Sequence, residues 1–136
     1  MPSSPGELVE LLDLEQLDVD LFRGRQPETR RQRVFGGQVA AQALIAAVRT
    51  IEEDYLPHSM HSYFLRPGDY SVPIIYDVER LREGRSFGTR RVVASFTRRS
   101  VSWRAIARSA SILAISLFAQ LSAFCSAASA WDRAST

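Results

Sequence analysis

Arg33-Val34-Phe35-Gly36-Gly37-Gln38-Val39-Ala40-Ala41-Gln42-Ala43-Leu44-Ile45-Ala46-Ala47-Val48 is the stretch on which the fold turns. A double glycine opens it, and between Val39 and Val48 only Gln42 is polar. No apolar stripe faces a wet opposite side, and a helix that is hydrophobic all round is buried in a membrane or in a protein core. A run this short cannot cross a bilayer, which needs about 20 residues, so the segment predicts a core helix. Its alanines make it slim, which lets a sheet wrap closely around it. Gly36 and Gly37 allow the backbone to come near a neighbour or a ligand. The N–H groups of the helix start then face whatever sits there. The same pair of glycines also suits a plain tight turn into the helix.

Working outward toward the N-terminus, Arg25 to Gln32 is polar, contains Pro27 and reads as a loop. Leu14 to Gly24 alternates loosely through Leu17, Val19 and Leu21, which predicts a half-exposed first strand. Glu7 to Leu12 predicts a short helix, with Leu8, Leu11 and Leu12 on one face. On the other side, Glu52-Glu53-Asp54 reads as a solvated acidic turn, since acids suit a helix C-terminus poorly. His58 to Leu65 predicts a second strand, with His58, Met60 and Phe64 sharing one face. Arg66-Pro67-Gly68-Asp69 has proline and glycine in the order of a type II turn. Pro73 to Leu81 predicts a third strand with Ile74, Tyr76 and Val78 on one face, and Ser86 to Phe96 a fourth. Strand, buried helix and three antiparallel strands joined by hairpin-type turns give an α+β fold.

The chain has 136 residues, one ordinary domain at most, and a 46% hydrophobic content that supplies a core. Its net charge of +2 hides a break: 14 of the 15 acidic residues lie in residues 1–94, and residues 95–136 carry five arginines against Asp132 alone. Every basic residue is arginine, without aromatic interleaving in the tail, so nucleic acid is not an expected partner. The single cysteine, Cys125, excludes an internal disulfide and a cysteine-rich metal site. The acidic N-terminus lacks the basic region of a secretory signal, and residues 1–94 read as cytoplasmic.

Four pieces carry a resemblance. Val34-Phe35-Gly36-Gly37-Gln38-Val39-Ala40-Ala41-Gln42-Ala43-Leu44 is followed by His58-Ser59-Met60-His61-Ser62-Tyr63-Phe64-Leu65-Arg66-Pro67-Gly68-Asp69. Then come Pro73-Ile74-Ile75-Tyr76-Asp77-Val78 and Leu81-Arg82-Glu83-Gly84-Arg85-Ser86-Phe87, closing with Thr89-Arg90-Arg91-Val92. In this order and spacing, over about residues 7–94, the chain resembles the first half of a type II acyl-CoA thioesterase. The resemblance implies a hotdog fold, a curled antiparallel sheet around a central buried helix. Members of that family carry two hotdogs in one chain, hydrolyse fatty acyl-CoA to free acid and CoA, and often assemble into homo-oligomers. It implies acyl-CoA as the partner and calls for no cofactor and no metal. The second hotdog of the family carries the Asp, Ser/Thr and Gln that position the attacking water, and this chain has no matching positions.

The resemblance fades at about Ala94. Residues 95–136 are rich in Ser, Ala and Arg, lack glycine and proline, and show no clear period-2 strand. The expectation is a sheet left incomplete after about residue 94, followed by a divergent tail, frameshifted or disordered, and a truncated chain with little activity alone. Residues 109–131 are uncharged over a length that could span a membrane, but six serines weaken any drive to insert, and an anchor is not the favoured reading.

His58 is the candidate base: it opens the His-Ser-Met-His strand, and an unperturbed imidazole titrates at about 6.5. Gly36, Gly37 and Gln38 are candidate substrate-binding positions, offering N–H donors to a thioester carbonyl. Tyr63 and Arg66 are candidate contacts for CoA phosphate, to which arginine is well suited. His61, Arg85, Arg90 and Arg91 are assigned structural or solvated positions. Two readings stand beside the enzyme: a non-catalytic acyl-CoA-binding or dimerising half, and a membrane-tethered fragment.

Overall fold

The computed structural model describes residues 4–26, 33–52, 55–96 and 111–121. A short helix, α1 (Pro5–Leu12), opens the chain. The Ser4 hydroxyl caps it by accepting the Glu7 N–H at 3.2 Å, and Pro5 occupies the start, where no amide hydrogen is needed. Two short strands follow, β1 (Glu15–Asp18) and β2 (Leu21–Gly24). Then come the helix α2 (Gly36–Val48) and the longer strands β3 (Tyr55–Phe64), β4 (Ile74–Glu83), β5 (Phe87–Phe96) and β6 (Ser111–Leu121). All pairings are antiparallel, and the six strands lie in the order β1-β2-β4-β5-β6-β3. Among the described strands the sheet is open, with β1 and β3 at its edges.

The sheet curls around α2. Val39, Ala43, Ala46 and Ala47 of the helix meet Phe22, Ile74, Tyr76, Val78, Val92 and Ala94 of the strands in one core. Small helix residues opposite large strand residues let the two layers approach closely. The predicted inner face of β4 holds: Ile74, Tyr76 and Val78 are all buried. This is the α+β, sheet-around-helix architecture that the resemblance implies.

Four expectations are corrected. Leu14 to Gly24 is a hairpin and not one strand, turning at Val19 and Asp20, and β2 is mostly buried. β3 and β4 are not a hairpin: β3 pairs with β6 at the far side of the sheet, and β4 pairs with β2 and β5. No described glycine has positive φ, so Arg66-Pro67-Gly68-Asp69 is not a type II turn but a longer connection. Finally, strand structure does not stop at Ala94. β5 runs to Phe96, and β6 inserts between β5 and β3, with Val92 in register with Ile115. Ser111 to Leu121 is a nearly continuous apolar run, which leaves no period-2 alternation to read. The same strand occupies part of the uncharged stretch considered above as a membrane span. Among the described residues no helix is long and apolar enough to cross a membrane. The rest of the tail and Glu53-Asp54 lie outside the described residues.

Gln42, the lone polar residue of the helix, is fully buried. Its amide donates to the carbonyls of Leu11 (2.7 Å) and Arg25 (2.9 Å), and its Oε1 accepts the Tyr76 hydroxyl at 2.7 Å. One side chain thus ties α1, the chain after β2 and strand β4 to the central helix. Burial pushes the Tyr76 phenol well above the usual tyrosine range. Above about pH 10 the unfolded chain therefore loses that proton while the folded chain keeps it, and stability falls as pH rises from there toward the folded value. Tyr76→Phe is expected to remove this alkaline loss. At neutral pH it should destabilise by about 1–2 kcal/mol, because Gln42 Oε1 loses its partner. Chemical denaturation of both proteins at pH 7 and at pH 10.5 checks both statements.

Candidate functional site

The site is built on the start of α2. Phe35 is the N-cap, has an extended backbone and supplies no side-chain cap. Its carbonyl accepts the N–H groups of Gln38 (3.0 Å) and Val39 (3.3 Å). The Gly36 and Gly37 N–H groups, as at any helix start, have no acceptor within the helix. Beside them lies a cavity of about 310 Å³, lined chiefly by Val34, Val39, Phe64, Leu65, Arg66 and Phe96. Its floor is fixed where the Val34 N–H donates to the Gly68 carbonyl at 3.2 Å. Among the described residues, Arg66 is the only charged one on the lining.

Two aromatic rings cover the glycines. A Cβ on Gly36 would lie 3.0 Å from Phe64 Cε1, and one on Gly37 would collide with the Phe35 ring. The double glycine is thus a seat for Phe64 and Phe35 as well as a source of donors. Helix-start donors, an apolar pocket and one arginine together suit a molecule with a polarised carbonyl, an apolar tail and an anionic group.

The other candidate residues are placed as follows. Gln38 is buried, and its amide donates to the Arg25 carbonyl at 3.4 Å, which directs it into the fold. Tyr63 is exposed and packs against His61, with ring centroids 5.1 Å apart. His58 lies on the edge strand at an irregularity of the β3–β6 register and meets the Phe87 ring edge-on, with centroids 6.0 Å apart. It is six residues from Phe64, or about 20 Å along a strand. The structure therefore gathers Gly36 and Arg66 at the cavity, places Gly37 beside it, and leaves His58 and Tyr63 along β3. Phe64, Phe96 and Gly68, all at the cavity, are not singled out by sequence reasoning. Alternation assigns Phe64 a face but cannot say that a helix glycine lies across from it.

Arg90 departs from the solvated position expected of it. It is buried on the inner face of β5, near the far end of α2, where it borders a second cavity of about 520 Å³ with Tyr55, Arg80 and Glu83. Burial lowers its pKa from the ordinary arginine value, an effect opposed by Glu83 at 2.7 Å.

A family model described as the acyl-CoA thioesterase N-terminal domain matches residues 25–117. The chain belongs to this thioesterase family. Membership extends the likeness past Ala94 into β6. Over 82 residues the thioesterase domain is 55% identical to acyl-CoA thioesterase 2 of Haemophilus influenzae, covering 60% of this chain and 29% of that protein. Over 95 residues it is 48% identical to human acyl-coenzyme A thioesterase 8, covering 66% of this chain and 30% of that protein. The crystal structure of acyl-CoA thioesterase II TesB2 from Mycobacterium marinum superposes with a TM-score of 0.68 at 40% identity, over 85% of this chain and 38% of that one. The hotdog architecture is thereby shown. The thioesterase domain spans about 30% of the length of the curated relatives it matches.

Proposed function

We propose that this domain binds fatty acyl-CoA and forms the first hotdog of an acyl-CoA thioesterase, whose reaction releases the free fatty acid and CoA. The observation that carries the reading is the apolar cavity at the start of α2, with Arg66 on its lining and the Gly36 amide at its edge. Such a site can take the acyl tail, polarise the thioester carbonyl and meet an anionic group of CoA. The water-activating groups are expected, from the resemblance, in a second hotdog.

The reading includes assembly. Among the described residues the outer edge of β3, a ten-residue strand, has no partner strand, and β3 presents Leu56, Met60, Tyr63 and Phe64, each more than 40% exposed. A long apolar edge of this kind pairs readily with another strand, and a further hotdog, from the same or another chain, is the proposed occupant. β1 by contrast is only four residues long and carries Glu15 and Asp18, features that discourage pairing. A cytoplasmic setting accompanies the reading, supported by the single cysteine and by the balanced charge of residues 1–94.

Calorimetric titration of the full chain with octanoyl-CoA and with CoA tests the proposal, together with a thiol assay for CoA release. Octanoyl-CoA is expected to bind more tightly than CoA, with little or no release by this chain alone. Arg66→Ala should weaken both ligands by the same factor, about 10- to 150-fold, because a hydrogen bond to a charged group contributes about 1.5–3 kcal/mol. Equal binding of octanoyl-CoA and CoA would exclude an acyl site in this domain.

A further inference from the structure

The walls of the cavity differ in how firmly they are held. Phe96 rests on Gly68 so closely that a Cβ there would run into its ring, and Phe96 is packed against the core. Phe64 also rests on a glycine, Gly36, but it is the last residue of the edge strand and is 56% exposed. Among the described strands β3 pairs with β6 alone, and Phe64 stands at the sheet edge. One wall is therefore packed into the core, and the other is a single half-exposed ring at the end of the edge strand. Gly36, Arg66 and both rings line the same cavity, so an acyl tail whose polar end meets the start of α2 and Arg66 would lie against these rings.

We infer that Phe64 is the specificity-determining residue of this site: its ring, seated on Gly36, forms one wall of the cavity and favours acyl tails of short or medium length. The inference rests on the acyl-binding reading above. The cavity is small, about 310 Å³, and Phe64 and Phe96 both stand on its lining, so truncating the Phe64 ring would lengthen the apolar surface open to a tail. Gly36 is part of the device. A Cβ there would stand 3.0 Å from the ring, closer than ordinary van der Waals contact, so the ring would have to shift by a few tenths of an ångström.

The test is calorimetric titration of the full chain with butyryl-CoA, octanoyl-CoA and palmitoyl-CoA. The original protein is expected to prefer octanoyl-CoA to palmitoyl-CoA by at least tenfold. Phe64→Ala should reverse or erase that preference, a change of about tenfold or more, since one methylene in an apolar pocket is worth about 10- to 200-fold. Phe64→Leu should fall between the two, and Gly36→Ala should change the order of the three ligands without abolishing the fold, as judged by a cooperative melt. If Phe64→Ala weakens all three ligands equally, Phe64 is only a general contact and the inference fails while the acyl site stands. If the original protein binds none of the three better than CoA, the acyl reading itself falls, and the inference with it. If Phe64→Ala does not melt cooperatively, the Gly36→Ala ligand order decides, and an unchanged order overturns the inference.

Discussion

Gln42→Leu is expected to lower the unfolding free energy by about 2–4 kcal/mol, although it nearly preserves volume and makes the central helix wholly apolar. Sequence hydropathy alone would call this change stabilising. The structure reverses the sign, because the buried amide has three partners that leucine cannot serve. The Leu11 carbonyl and the Tyr76 hydroxyl would each be left in a dry interior, and each such group costs about 1–3 kcal/mol. The Arg25 carbonyl keeps a weaker contact from Gln38, so its loss is smaller. Gln42→Glu should be at least as damaging: a carboxylate can accept from Tyr76 but would face the two carbonyls without a hydrogen to offer. Urea denaturation monitored by circular dichroism should show the midpoint falling for both variants with an unchanged slope. A Gln42→Leu protein within 0.5 kcal/mol of the original would refute this account.

Arg90→Lys is expected to cost about 2–3 kcal/mol despite keeping the charge. All five N–H positions of the guanidinium are engaged. Nε donates to Thr50 Oγ1 at 3.0 Å, Nη1 to the carbonyls of Arg82 (3.1 Å) and Thr89 (3.3 Å), and Nη2 to the Thr50 carbonyl (2.9 Å) and the Glu83 carboxylate. Thr50 in turn donates to the Ala47 carbonyl at 2.8 Å, so the fork grips the C-terminal end of α2 and holds it to the β4–β5 hairpin. A lysine ammonium has three donors on a flexible stem and cannot match a planar fork of five. The ion pair itself contributes little, since the Glu83 side chain is 57% exposed. The loss therefore comes from carbonyls left without donors. Glu83→Gln, which spares those carbonyls, should change stability by less than about 1 kcal/mol. A larger loss in Glu83→Gln than in Arg90→Lys would show that the charge pair, and not the carbonyl clamp, is what matters.

The sequence by itself determined the buried central helix, because the ten residues 39–48, with a single polar member, have no wet face to present. It also determined the inner face of β4, where Ile74, Tyr76 and Val78 alternate, and the family, through four motifs in fixed order. Only the tertiary structure decided the strand order. Pairing of β3 with β6 joins segments far apart in the chain, and no local pattern specifies a distant neighbour. The structure likewise decided β6, whose apolar run carries no period, and the burial of Arg90, whose alternation with Val92 and Ala94 fixes a face but not the acceptors waiting there. At the site, Gly36 and Arg66 were legible as residue types suited to a carbonyl and an anion. That Phe64 rests on Gly36 was not, because a contact between a helix start and an edge strand exists only once the sheet has curled around the helix.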